Sequence, residues 1–189
     1  MSAILQRPYG QVRGEAGVTL TELIVVITIV GIVAMLAAPN FLESIRRSRL
    51  SQATTELYGG LTAARMAAMG RNRTVTVRLI GATSTTSGSN VTITGTAAVP
   101  ITVQFFDSQG AGVLPKQVLT TDVVQVETLP GAGSPTVTSQ VQFNSLGMRV
   151  GGGATVNQLI TLRNNRGTTF SIYVTPAGKS RFCLKATCP

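Results

Sequence analysis

Glu22 has the most unusual chemical setting in this 189-residue chain, because it borders a long uncharged segment. The segment Leu23–Ala38 carries no charge and a single polar side chain, Thr28. As a helix it would span only about 24 Å, so a helix that crosses a bilayer has to begin near Val18 and include Glu22. A lone carboxylate in hydrocarbon costs roughly 2.5 kcal/mol or more. The presence of Glu22 therefore needs an explanation. One explanation is that Glu22 lies among the lipid headgroups, at the end of a membrane helix.

Catalytic chemistry is not indicated by the other reactive residues. The chain has no histidine, and its acids stand far apart, without a glycine-rich phosphate loop, a nucleophile elbow or paired carboxylates. Two cysteines are too few for a protein metal site. We therefore expect neither an enzyme nor a metal or other cofactor. A general base would have to come from Glu43, Glu56, Asp107, Asp122 or Glu127.

The first 17 residues have the character of a leader. They are polar, contain Arg7 and Arg13, and end in Gly17 immediately before the apolar run. In an ordinary secretory signal a small-residue cleavage site follows the apolar stretch, whereas here Pro39 and a helical pattern follow it. We therefore expect the apolar segment to be retained, with the leader arginines favouring a cytoplasmic N-terminus.

Beyond the apolar segment, hydrophobic periodicity predicts a long helix and then a β-rich domain. A helical stripe, expected to lie against a sheet, runs to a stop near Gly70, and Pro39 is expected to kink or locally melt the helix. After Gly70 the period changes to two, which predicts an antiparallel head, and Gly81–Asn90 is predicted to be a loop. The stripe consists of Leu50, Ala53, Leu57, Leu61, Ala64 and Ala68. The predicted strands are Arg73–Ile80, Val91–Thr94, Ile101–Phe106, Val118–Val126, Thr136–Phe143, Leu159–Arg163, Thr169–Thr175 and Arg181–Leu184.

The segment Gly17-Val18-Thr19-Leu20-Thr21-Glu22, followed by the apolar run and Pro39, resembles the cleavage signal of type IV pilins and pseudopilins. Val18 stands where the family usually has phenylalanine. The resemblance implies that prepilin peptidase cuts after Gly17 and methylates Val18. It also implies the α+β type IV pilin fold, a long N-terminal α-helix, transmembrane in its first half, packed on a C-terminal antiparallel β-sheet head. The corresponding division is a leader at 1–17, a transmembrane and assembly helix at 18–40, an amphipathic second half at 41–70 and a periplasmic head at 71–189.

This resemblance implies an assembly role for Glu22. Cleavage would create an α-amine on Val18 at nearly the depth of Glu22, so the amine of a neighbouring subunit could neutralise the carboxylate. Removing one member of a buried ion pair costs about 3–5 kcal/mol, enough to fix the register of assembly. Pro39 occupies the family's position within the same assembly helix.

Two features of the chain resemble GspH/FimT-type minor pilins and pseudopilins. One is the transition from the helix end at Arg65–Asn72 to the strand TVTVRL, and the other is the order of the C-terminal strands. The resemblance implies a scarce subunit that initiates or caps a type IV pilus or a type II secretion pseudopilus. Its implied partners are other pilin or pseudopilin subunits, prepilin peptidase, the inner-membrane assembly platform and the lipid bilayer before assembly. The implied location is the inner membrane, crossed once with a periplasmic head, and later the pilus or the pseudopilus.

The basic C-terminal region supports an alternative function. Competence-associated relatives bind DNA through a Gly-Arg-x-Arg motif, which Gly178-Lys179-Ser180-Arg181 resembles with lysine in place of the first arginine. After Glu127 the chain has six basic residues and no acid, a field that attracts phosphate. The other interpretation is a solvated basic tail that keeps the head soluble or meets acidic partner subunits. The candidate DNA contacts are Lys179, Arg181, Arg163, Arg166 and Lys185.

Cys183 and Cys188 are the two cysteines of the chain. In an export compartment we expect a disulfide between them that closes a short loop and fastens the last strand, worth roughly 2 kcal/mol. The alternative is two free thiols.

Overall fold

The computed structural model of the protein describes residues 17–87, 90–129, 140–151 and 156–184, with the backbone alone for 36–40. The chain divides into two compact units, residues 1–42 and 43–189. The helix α1 (Leu20–Arg71) begins in the first unit and ends in the second. Its helical assignment continues through position 39, so local melting at Pro39 is wrong, whereas a kink there stays a prediction.

The described part of the first unit is the beginning of α1 and the residues before it. Every described side chain from Val18 to Met35 is exposed. No helical window within the described residues combines the length and hydropathy that a membrane span requires. The transmembrane assignment of residues 18–40 therefore stays a prediction.

The described part of the second unit contains eleven strands in two antiparallel sheets. The first sheet has the order β5-β4-β1-β7-β8, and the second has the order β11-β10-β9-β6-β3-β2. The strands are β1 (Val75–Ile80), β2 (Thr83–Ser87), β3 (Asn90–Thr94), β4 (Thr102–Asp107), β5 (Gly112–Val118), β6 (Val123–Leu129), β7 (Gln140–Phe143), β8 (Arg149–Val150), β9 (Gln158–Asn164), β10 (Thr169–Val174) and β11 (Ser180–Cys183).

The core of the second unit lies between the second half of α1 and the inward faces of the strands. The six predicted stripe residues of α1 are all at most 1% exposed and belong to one cluster with buried strand residues. In β1, for example, Val75, Val77 and Leu79 alternate into the core. The predicted α+β class, a long helix packed on an antiparallel head, is therefore confirmed.

Two predictions about the head are wrong. The run Val118–Val126 is not one strand but the end of β5 and the beginning of β6, separated by a turn in which the Val123 amide donates to the Thr120 carbonyl. The segment Gly81–Asn90 is not a loop throughout, because β2 pairs with β3. All five residues of β2 are exposed, so apolar alternation could not reveal a strand that backbone hydrogen bonds form. The remaining predicted strands agree with observed ones to within one or two residues, although residues 136–139 lie outside the described part of the chain.

Four hairpin turns of the head share one construction. In each, the first residue donates its amide to the carbonyl four residues later, and its carbonyl accepts from a glycine three residues later. Those glycines have φ between 72° and 83°, a conformation that costs other residues roughly 1–2 kcal/mol. A side-chain oxygen of the first residue also accepts an amide within each turn. The turns are Asp107–Ala111, Asn144–Met148, Asn164–Thr168 and Thr175–Lys179, with glycines at 110, 147, 167 and 178.

Candidate functional site

Thr19 caps the helix that carries the candidate assembly residue Glu22. The Glu22 amide donates to Thr19 Oγ1 at 3.2 Å, and the Leu23 amide donates to the Thr19 carbonyl at 3.1 Å. Thr19 is therefore the N-cap of α1, and Glu22 is its third residue, where a negative charge is favoured by the helix dipole. The threonine and the glutamate three residues later form a capping-box spacing, a sequence signal for the start of the helix that our sequence reasoning missed.

The predicted cleavage site lies just before this cap. Gly17 and Val18 precede the helix and are exposed. A Cβ atom on Gly17 would meet no atom within 4 Å, so the backbone there is uncrowded. Val18 itself is 70% exposed. Both residues are thus on the surface of the described part of the chain, and cleavage between them stays a prediction.

Glu22 is an acid in an uncovered apolar surface. The large hydrophobic residues from Val18 to Met35 are each at least 49% exposed. The ion pairs within the described residues are Arg49–Asp122 and Arg73–Asp107, and neither involves Glu22. Among the described residues, Glu22 therefore has no ion-pair partner. For Pro39, the other predicted assembly residue, only the helical backbone is described.

Four of the five acids considered as general bases have partners in the described part of the chain. Asp107 is almost buried and accepts the amides of Ala111 and Gln109 at 2.9 Å, and these hydrogen bonds, with a lesser contribution from the Arg73 charge, hold its pKa below the ordinary value. Three others pair with side chains, and these pairs are Asp122 with Arg49, Glu127 with Asn90, and Glu56 with Gln52.

The structure separates the candidate DNA contacts into two groups. Arg163 lies opposite Thr169 at one end of β10, and Arg181 lies opposite Tyr173 near the other end. Thr169 and Tyr173 are four residues apart in sequence, which corresponds to about 13 Å along the strand. Arg166 belongs to the turn near Arg163, and Lys179 to the turn near Arg181. All four side chains are exposed, but they do not form one compact patch, and Lys185 lies outside the described residues.

Two tertiary contacts weaken the predicted basic field. Arg149, counted among the six basic residues, is 3% exposed, its guanidinium donates to the carbonyls of Gly151 and Val156, and burial lowers its pKa. Glu127 precedes this region in the chain, yet the second sheet places β6 beside β9. As a result, Glu127 and Arg163 line the same groove. Sequence order therefore overstates the charge of this surface.

Gly178, the first residue of the candidate DNA motif, is fixed by contacts between two turns. A Cβ atom on Gly178 would lie 1.9 Å from the carbonyl oxygen of Gly147, and Arg65 Nε donates to the same oxygen at 2.9 Å. The amide of Arg149 donates to the carbonyl of Pro176. The β10–β11 turn is thus packed on the β7–β8 turn, which positions Lys179 and Arg181 and gives Gly178 a structural role.

Cys183, the last residue of β11, is disulfide-bonded. Cys188 lies outside the described residues, so the predicted pairing of these two cysteines stays a prediction.

Comparisons with known proteins give one sequence match and two structural ones. The profile described as "Prokaryotic N-terminal methylation motif" matches residues 12–38. No curated protein sequence matches the chain significantly. The chain is similar to two crystal structures of the type IV minor pilin FimU of Pseudomonas aeruginosa. The first is 15% identical with a TM-score of 0.46, and the match covers 74% of this chain and 96% of that chain. The second is 16% identical with a TM-score of 0.49, and the match covers 76% of this chain and 94% of that chain.

The matched motif includes Gly17, the capping residue Thr19 and the acid Glu22. The helix α1 continues from this motif into the antiparallel head. These features define a class of proteins, namely those with an N-terminal methylation motif and a helix that joins it to a globular head. The match to the methylation motif agrees with the resemblance to the cleavage signal of type IV pilins that Gly17–Glu22 shows in the sequence.

Proposed function

We propose that this protein is a minor subunit that initiates or caps a type IV pilus or a type II secretion pseudopilus. Prepilin peptidase cleaves the leader after Gly17 and methylates Val18. The apolar segment anchors the chain in the inner membrane with the head in the periplasm, and the assembly platform then transfers the helix from lipid into the filament. The role is structural rather than enzymatic.

The exposed apolar surface of α1 is the observation that carries this proposal. Apolar side chains on every side of the helix from Val18 to Met35 are uncovered, far more than an isolated soluble helix would present to water. Glu22 is the one acid among the described residues of this segment. Such a surface needs lipid and later the helices of other subunits, and its single carboxylate needs the positive terminus that cleavage creates.

Processing gives the first test of the proposal. We expect the mature protein, isolated from cells that contain prepilin peptidase, to begin at N-methylated Val18, as read by N-terminal sequencing and mass spectrometry. Because a side chain at position 17 would enter the peptidase site, Gly17→Val should leave the leader attached and keep the chain out of filaments. The matched change Gly31→Ala, at another glycine where a Cβ meets nothing within 4 Å, should be processed normally. A mature chain that begins at another residue contradicts the proposal.

DNA binding is a second candidate function, supported by the surroundings of Arg181. Arg181 lines a surface groove of about 460 Å³ together with Tyr58 and Phe182. A cation beside aromatic rings is the combination with which many proteins bind single-stranded nucleic acid. Exposed Lys179 lies two residues before Arg181 and would add a phosphate contact.

The separation of the basic residues allows a matched test of DNA binding. We expect Lys179→Ala with Arg181→Ala to weaken binding of single-stranded DNA by the full mature chain about tenfold or more, and to reduce the salt dependence. Arg163→Ala with Arg166→Ala removes the same charge from the other end of β10 and should have a smaller effect. Equal losses in both double variants would indicate attraction by net charge alone, and no loss in either would exclude this site.

A further inference from the structure

Four large apolar side chains are exposed together at the carboxyl end of α1 and on the β7–β8 turn. We call them the methionine patch: Met66, Met69, Leu146 and Met148, which are 58%, 43%, 70% and 43% exposed. Met66 and Met69 are three residues apart and share a helix face. Met69 Sδ lies 2.7 Å from the Cβ position of Gly147, the residue between Leu146 and Met148. The helix and the turn therefore present one continuous apolar surface on the second unit.

The construction of the turn does not explain why these residues are apolar. The three other turns of the same construction carry Gln109, Arg166 and Ala177 at the position of Leu146. At the position of Met148 they carry Ala111, Thr168 and Lys179. The Asn144 side chain accepts the amides of Leu146 and Met148, so the backbone is held without any contribution from their side chains. Exposed leucine and methionine at such a place indicate a surface that another molecule covers.

The charges beside the patch indicate what kind of molecule covers it. Arg65 and Lys179 border it, since Arg65 Nε donates to the Gly147 carbonyl and lies 3.2 Å from the Cβ position of Gly178, the neighbour of Lys179. Four acids of the second unit have side-chain partners, and none of these partners is Arg65 or Lys179. The partners are Arg49, Arg73, Asn90 and Gln52. A second copy of this chain, which stays strongly positive after loss of Arg7, Arg13 and Glu15 with the leader, would bring the same positive border and be repelled. Aliphatic and thioether side chains offer no ring for a base to stack on, which disfavours nucleic acid.

We propose that the methionine patch docks a different pilin-like subunit, through an apolar surface of that subunit bordered by carboxylates. This inference rests on the proposed role as a filament subunit, and it assigns one face of the head to one kind of neighbour. Arg65 and Lys179 set the orientation, and the four apolar side chains supply the buried area.

Photo-crosslinking tests the patch in cells that assemble the filament. A benzophenone amino acid is placed at position 146 and, as a matched control, at position 109, the same place in the β4–β5 turn. We expect position 146 to crosslink to a protein that carries its own N-terminal methylation motif and an acidic head, and position 109 to give little of this product. Purified mature protein with Leu146→Gln and Met148→Thr, which copies residues of the other turns, should bind that subunit about tenfold more weakly or worse, with unchanged thermal stability.

The outcomes separate this inference from the proposed function. A product with a second copy of the chain, with DNA or with lipid overturns the docking proposal, as does absence of a product from a chain that is processed and recovered with filaments. A chain that is neither cleaved after Gly17 nor recovered with filaments overturns the proposed function and this inference with it.

Discussion

Glu22→Ala should abolish incorporation of this protein into filaments while leaving cleavage and membrane insertion intact. The carboxylate lies in an exposed apolar surface without an ion-pair partner in the described part of the chain. In the filament, the methylated amine of Val18 of a neighbouring subunit would be its partner. Loss of one member of a buried pair costs about 3–5 kcal/mol, which lowers an assembly constant by at least about a hundredfold. Immunoblots of sheared filaments and of membranes measure the two pools.

Thr28→Ala is the matched control, because it removes the polar side chain within the apolar run. The Thr28 hydroxyl donates to the Ile24 carbonyl of its own helix at 2.7 Å, so its removal leaves no charge without a partner. We expect this variant to assemble normally. If Glu22→Ala, cleaved and inserted, enters filaments as well as Thr28→Ala does, the ion-pair explanation of Glu22 is wrong.

Gly178→Ala should lower the free energy of unfolding of the head by about 3 kcal/mol or more. Gly178 has φ of 74°, which alone costs a residue with a Cβ atom roughly 1–2 kcal/mol. The added Cβ atom would also lie 1.9 Å from the Gly147 carbonyl oxygen, so the two turns would have to separate. That separation removes the hydrogen bond from the Arg149 amide to the Pro176 carbonyl. Urea denaturation of the mature protein in detergent, followed by circular dichroism, measures the loss.

Gly110→Ala is the control that separates the conformational cost at positive φ from the cost of the clash with the Gly147 carbonyl. Gly110 occupies the same place in a turn of the same construction, with φ of 80°, but a Cβ atom there meets nothing within 4 Å. We expect this variant to lose only the conformational part, about 1–2 kcal/mol. Equal losses in the two variants would show that the contact between the β7–β8 and β10–β11 turns contributes nothing. Because Lys179 and Arg181 follow Gly178, the same comparison shows whether that contact also positions them.

The apolar stripe of the helix and the N-terminal methylation motif could be predicted because both depend on local spacing. Leu50 and Leu57, like the other stripe residues, recur at helical intervals, and that recurrence alone indicates one buried face. Most strands were predictable for the same reason, since residues such as Val75 and Val77 alternate along one segment. In contrast, β2 has no buried side chain, and β5 contains Pro115, which suits an edge strand and conceals it from a pattern search.

The surface of the head was decided by tertiary structure. The order of the second sheet brings β6 back beside β9, so Glu127 joins the groove of Arg163 although many residues separate them in the chain. The same fold buries Arg149 and places Arg163 and Arg181 toward opposite ends of β10. By itself the sequence determined the helix, the N-terminal methylation motif and the β-rich character of the head, because these follow from neighbours along the chain. Charge clusters, turn contacts and the methionine patch follow from which strands pair, and that choice depends on residues distant in sequence.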